Sequence, residues 1–361
     1  MGVLQSANRA VAAAALLAFA AGCSKDSTAP NAPFDASGTS ADVSAIDESF
    51  DSPAAAAFAT ASVQISNVVE GVAGAAIRSI PSAAVARDGK AGAFRYSAAL
   101  AKRYRANGPS LSAAAIPAEY LGSTFVYDVD TDSYVESDLS GAPVNGVRFL
   151  LYAVNPVTEV PVEPLVEIGH ADIVTTETAS SATVHITVVS GGVTYLDYAV
   201  AAAASGMSAV QLDISGFATN GTDRVNFDLE NTLTGSEEAG LGLTIDYLMV
   251  VPTRGGFRVD IEGSTTGYLT ETTTTTIALQ ARGGHGTVRV EGSATNGAGS
   301  FDVEVNGDLF ATITVTGDAF PTVVGADGQP LSDEEANALQ AVWLLFAGAG
   351  DFFEDLVDPA L

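Results

Sequence analysis

Asp128-Val129-Asp130-Thr131-Asp132-Ser133-Tyr134-Val135-Glu136 sets oxygen ligands at alternate positions. That is the spacing with which the opening of a helix–loop–helix calcium site surrounds its ion. Two parts of such a loop are missing: the sixth position is Ser133 where the sharp turn requires glycine, and the twelfth is Leu139 where a bidentate glutamate belongs. The flanks, Phe125-Val126-Tyr127 and Tyr134-Val135, have the composition of strands. The expectation is an acidic hairpin tip, with at most a weak calcium contact through Asp128, Asp130, Asp132 and Glu136.

The other groups able to do chemistry are sparse. The chain has three histidines. His185 falls on the polar side of a strand whose apolar side is Val184, Ile186 and Val188; His285 sits in the turn Gly283-Gly284-His285-Gly286; His170 lies near Asp172. None shares the His-x-His or His-x-x-x-His spacing that holds a metal. Asp228 with Glu230 and Asp302 with Glu304 share strand faces and mimic a glycosidase pair, but among 43 acidic residues such pairs arise freely. The run Thr272–Thr276 reads as the solvent face of a strand, or as a flat polar ladder. There is no nucleophile elbow, phosphate loop, dinucleotide fingerprint or zinc-protease helix. The reading is a non-enzymatic protein with no cofactor; a carboxylate-based secreted hydrolase is the catalytic alternative.

Cys23 is the only cysteine, which rules out an intrachain disulfide and a cysteine-rich zinc site. It follows Arg9, an apolar run from Ala10 to Ala21 and the small residues Ala20-Ala21-Gly22. The run is too short to span a bilayer as a helix and reads as a signal peptide. This pattern resembles the bacterial lipobox, although the family prefers leucine where Ala20 stands. The resemblance implies that the cysteine thiol is acylated and the chain cut before it, leaving a membrane anchor at Cys23. Ser24, rather than an aspartate, follows the cysteine and implies the outer membrane in diderm bacteria whose sorting resembles that of enteric species. The other reading is an ordinary signal peptide cut after Ala20.

Behind these residues stand the elements that position them. Residues 1–22 are the expected signal peptide. Residues 23–53 are mostly Ser, Ala, Asp, Thr and Pro, and read as a flexible tether. Residues 54–108 form an Ala-rich helical segment, its second helix running from Ala91 to Ala106 with Arg95, Lys102, Arg103 and Arg105. From residue 121 to 330 the pattern becomes period two, as in Val225-Asn226-Phe227-Asp228-Leu229-Glu230 and Phe257-Arg258-Val259-Asp260-Ile261-Glu262. Gly191-Gly192, Asn220-Gly221, Gly255-Gly256, Asn296-Gly297 and Asn306-Gly307 mark tight hairpin turns. Strands so joined pair with their sequence neighbours, giving a mainly β fold: a long antiparallel up-and-down meander of about nine strands between Thr183 and Gly317, preceded by four more. A faint repeat relates Gly216–Gly221 to Gly292–Gly297. Residues 331–361 return to helix. Ser332-Asp333-Glu334-Glu335 is a capping box, and Leu339, Trp343 and Phe346 form one stripe of a segment that is apolar all round. The expectation is a curved sheet or half-barrel with this helix packed in its concave face.

Charge is distributed unevenly. After Arg105 the chain carries six arginines, no lysine and 35 acidic residues. That field repels nucleic acid and anionic headgroups, so the membrane contact falls to the lipid anchor alone. The plan of anchor, tether, helix, long meander and closing helix resembles the half-barrel carriers that move lipids or lipoproteins through the periplasm. The resemblance implies a bound apolar ligand or partner segment. A surface adhesion or assembly module is the alternative, and an outer-membrane β-barrel a further one, disfavoured by the low aromatic content of 7%.

Overall fold

In the computed structural model the described residues are 35–68 and 116–331, apart from 156–157, 159, 179–180, 206–208, 237–239, 269 and 317–321. The signal peptide, Cys23, the expected basic helix, and Leu339, Trp343 and Phe346 of the closing helix lie outside them.

The chain folds as a mainly β protein in two compact units, whose boundary falls within one helix and one strand. The helix is α1 (Ala36–Glu48), followed by α2 (Pro53–Val68). The unit of residues 46–228 holds α2 and strands β1 (Thr124–Asp128), β2 (Ser133–Ser137), β3 (Gly146–Tyr152), β4 (Glu167–Glu177), β5 (Ser181–Ser190), β6 (Val193–Ser205) and β7 (Ala209–Thr219), with the start of β8 (Arg224–Ser236). The unit of residues 35–45 and 229–331 holds the rest of β8, then β9 (Gly240–Val251), β10 (Phe257–Tyr268), β11 (Thr274–Gly283), β12 (Gly286–Thr295), β13 (Ala298–Val305), β14 (Asp308–Thr316) and β15 (Thr322–Gly325). The hydrogen-bonded order follows the sequence from β15 back to β3, then continues to β1 and ends at β2, fifteen strands in all.

The period-two pattern sets which side chains enter the core. Val225, Phe227 and Leu229 are buried while Arg224, Asp228 and Glu230 are exposed; Phe257, Val259 and Ile261 repeat the rule. The double-glycine and Asn-Gly turns have the positive φ that tight hairpins need: 58° and 80° at Gly191-Gly192, 50° and 78° at Asn296-Gly297, 52° and 88° at Asn306-Gly307. Asn296 and Asn306 also extend the neighbouring ladder. Each donates its N–H to a carbonyl, of Thr273 or Thr287, and accepts that residue's N–H on its side-chain oxygen at 2.8 Å.

Asn220 behaves differently, and this corrects the repeat. Its side-chain oxygen accepts the N–H groups of Thr222 and Asp223, making a local turn, and only Gly221 has a positive φ. The two turns therefore share sequence but not geometry. The repeat survives four residues earlier in each copy, where Gly216 lies opposite Tyr198 and Gly292 opposite Phe301.

Two further expectations are corrected. The meander is not purely antiparallel: β1 pairs in parallel with β3 through Thr124 and Phe125. The link carrying Gly141 and Pro143 returns the chain past β2, so that Phe125 stacks on Phe149 with ring centroids 5.0 Å apart. The tether of residues 23–53 contains α1. Asp35 caps it, its side chain accepting the Gly38 N–H at 2.9 Å, and a stripe of Thr39, Asp42, Val43 and Ile46 is buried. The burial uses small and polar side chains, which composition counts as solvated.

α2 stands at the start of the expected helical segment of residues 54–108, the rest of which lies outside the described residues, and its own residues show why it forms. Ser52 is the cap, accepting the Ala55 N–H at 3.0 Å, and Pro53 occupies the first helical position, where its missing N–H costs nothing. Ala54, Ala57 and Ala61 let the helix approach the sheet closely, and Phe58 and Ile65 are fully buried. The helix packs across β2, β3, β4, β5 and β6. This apolar face is therefore covered by a helix from the N-terminal side of the sheet.

Candidate functional site

The acidic segment 128–136 is the tip of the β1–β2 hairpin, with Asp128 opposite Ser133 and Tyr127 opposite Tyr134. Three of its four acids accept hydrogen bonds from their own surroundings. Asp128 accepts the Asp130 N–H at 2.9 Å, Asp132 (φ 49°) accepts the Tyr127 hydroxyl, and Glu136 accepts the Ser123 hydroxyl. The hydrogen bond to Asp132, with some burial, pushes the Tyr127 phenol up to about 12. Among the described residues no three His, Cys, Asp or Glu side chains gather in the manner of a metal site.

All three histidines stand beside aspartates, which their sequence spacing did not foretell. On the polar face of β3 and β4, Arg148 grips Asp172 with two hydrogen bonds of 2.7 Å, and His170 Nε2 lies 3.8 Å from the same carboxylate. Burial, then the Arg148 guanidinium, hold the His170 imidazole below its ordinary range, although Asp172 opposes them. His185, on the polar side of β5 as expected, is 2.6 Å from Asp197 on β6. His285, in the β11–β12 turn, places Nδ1 3.0 Å from Asp35 and Nε2 3.9 Å from buried Asp42, while its carbonyl accepts the Asp35 N–H. Its ring lies on Gly38, where a Cβ would fall 2.3 Å from Nδ1. His285 thus ties the start of α1 to a sheet turn. No sequence signal marks this, because the partners meet only through the fold.

His170 has a measurable consequence. Its protonation is harder in the folded protein than in the unfolded chain, so as pH falls below the ordinary histidine value the unfolded state takes up the proton first. Stability rises with pH through the window below that value and is lost as pH falls. His170→Gln should lessen the drop in urea midpoint between about pH 8 and about pH 5. An unchanged drop would assign the acid sensitivity to other groups.

Of the paired carboxylates, Asp302 and Glu304 meet groups on neighbouring strands. Asp302 accepts the Thr312 hydroxyl at 2.9 Å; Arg289 forms an ion pair with Glu291 and lies 3.9 Å from Glu304. Glu230 accepts from Thr232 at 3.4 Å, and Asp228 is exposed on β8. Of the threonine run, Thr274 bonds Thr295 and Thr275 bonds Thr265, both at 3.1 Å, and as neighbours on β11 the two point to opposite faces of the sheet.

Sequence reasoning passed over the polar groups within the apolar face. Tyr247 donates to Asn231 at 2.5 Å, both buried. The Tyr198 hydroxyl is fully buried with no hydrogen-bond partner among the described residues, and burial pushes its phenol far above the ordinary range. Its ring packs near Phe227, and the period-two pattern would mark Tyr198 as inward-facing, although not as unpartnered. Comparison with protein-family models, curated proteins and solved structures gives no match.

Proposed function

We propose that this protein is a non-enzymatic, lipid-anchored component of a bacterial envelope whose β-sheet body serves assembly or adhesion. The observation that carries the reading is the covered apolar face. Phe58 and Ile65 of α2 are fully buried against β2–β6, which favours a structural module over a carrier with an open apolar groove. The polar residues support it too, since Arg148 with Asp172, His185 with Asp197 and Arg289 with Glu304 are tied across strands. In this reading the sheet curves as a half-barrel, and residues 332–361 supply a closing helix. Leu339, Trp343 and Phe346 are the stripe by which that helix would pack on the sheet. The anchor rests on Ala20-Ala21-Gly22-Cys23, and Ser24 directs the protein to the outer membrane.

Membrane fractionation with labelled palmitate tests the proposal. The wild-type protein should carry label and sediment with the outer membrane, whereas Cys23→Ala should incorporate none and leave the membrane fraction. A Cys23→Ala protein that stays membrane-bound with its signal still removed would overturn the anchor. Solvent extraction of the purified wild-type protein should release no lipid beyond its own acyl chains; a stoichiometric free lipid would restore the carrier reading.

A further inference from the structure

We infer that the open edge of β2, with the exposed aliphatic side chains around it, is a strand-addition site for an extended segment of another protein in which basic and apolar residues alternate. The inference rests on the assembly reading and names the chemistry of the partner.

Strand β2 closes one end of the strand order, so its outer row of backbone N–H and C=O groups has no strand beside it among the described residues. Proteins blunt such edges with lysine or proline, and Ser-Tyr-Val-Glu-Ser contains neither. Exposed aliphatic side chains concentrate here. Of the ten large hydrophobic residues that are exposed among the described residues, eight fall between residues 121 and 166. Val135 stands on β2 itself and Val129 at the hairpin tip; Val144, 89% exposed, lies in the link to β3. Val160 and Val162 lie on the β3–β4 connection, which folds back through hydrogen bonds of Asn155 to Val160 and Val162 to Ala153. That connection flanks the hairpin: Glu163 raises the phenol of Tyr127, whose ring is 6.5 Å from that of Tyr152. Scattered exposed valines need no explanation; a group of them at an unpaired sheet edge does.

Charge selects the occupant. Asp128, Asp130, Asp132, Glu136, Asp138 and Glu163 surround the patch, and the only basic residue between 121 and 166, Arg148, is already held by Asp172. A second copy would bring the same acids face to face, and an anionic lipid surface would be repelled in the same way. A cationic strand satisfies both features. Its backbone completes the ladder, its apolar side chains cover Val135 and its neighbours, and its basic side chains meet the acidic rim.

The probe is a fluorescent peptide alternating lysine and valine, titrated by anisotropy into the full-length protein, with a glutamate–valine peptide as comparator. The lysine peptide should bind and the glutamate peptide should not. Val135→Lys should weaken binding by roughly tenfold or more, while Val193→Lys, which adds the same charge at an exposed valine elsewhere, should weaken it much less. Circular dichroism melting checks that both variants fold. Equal loss in the two variants, equal binding of the two peptides, or a concentration-dependent dimer abolished by Val135→Lys would overturn the inference. The acylation experiment is independent of all three, so an anchored protein that ignores the peptide removes only the proposed partner.

Discussion

Phe58→Ala lowers the thermal midpoint of the protein by roughly 6–20 °C, the fall expected when a fully buried aromatic is removed from a domain of this size. Phe58 is 0% exposed and sits on α2, whose contacts reach five strands. Truncation removes the transfer energy of the ring and leaves a cavity, together about 3–5 kcal/mol, because a helix held by close alanine contacts cannot sink to fill the gap. Ala56→Ser is the matched control: Ala56 is exposed on the same helix, so the change should cost less than about 0.5 kcal/mol. The comparison also bears on function. A midpoint that barely moves in Phe58→Ala would mean that α2 is a removable cover and not part of the core. The apolar face of β2–β6 would then be a groove, as in a carrier.

Gly216→Ala should be nearly as damaging, for a reason that lies in the backbone. Gly216 has φ +156°, and a Cβ there would fall 2.2 Å from the Asp197 carbonyl oxygen and 2.5 Å from Tyr198 Cα. Those atoms belong to the neighbouring strand and cannot withdraw without breaking the β6–β7 ladder. Overpacking and backbone strain together cost about 3–5 kcal/mol, read as a lower denaturation midpoint at unchanged slope. Gly221, five residues on, separates the two causes. Its φ is +92° but nothing lies within 4 Å of the Cβ position, so Gly221→Ala should lose only the conformational part, about 1–2 kcal/mol. Gly292→Ala, with a Cβ 2.2 Å from the Ser300 carbonyl oxygen, should behave like Gly216→Ala in the other unit. Equal losses at Gly216 and Gly221 would show that conformation, and not close strand approach, makes glycine necessary at this position.

The sequence by itself determined everything that depends on local periodicity and turn chemistry. Alternation in Val225–Glu230 and Phe257–Glu262 decides which side of a strand faces inward, because successive side chains must point to opposite faces. Asn-Gly and Gly-Gly pairs accept positive φ and so fix where the meander turns. From these alone came the mainly β class, the sequence-order pairing of β3 to β15, the hairpin nature of the acidic segment 128–136 and the outward position of His185. What only the tertiary structure decided involves residues far apart in the chain, or burial that composition hides. α1 was illegible because its buried stripe is made of Thr39, Asp42, Val43 and Ile46, and its capping Asp35 gains a partner only when His285 arrives from the β11–β12 turn. The parallel pairing of β1 with β3 was illegible because a loop of ordinary composition can return on either side of a hairpin, and the stacking of Phe125 on Phe149 settles which. The open edge at β2 has the same origin. A strand's own sequence states which faces it offers, but whether another strand lies beside it depends on where the rest of the chain has gone.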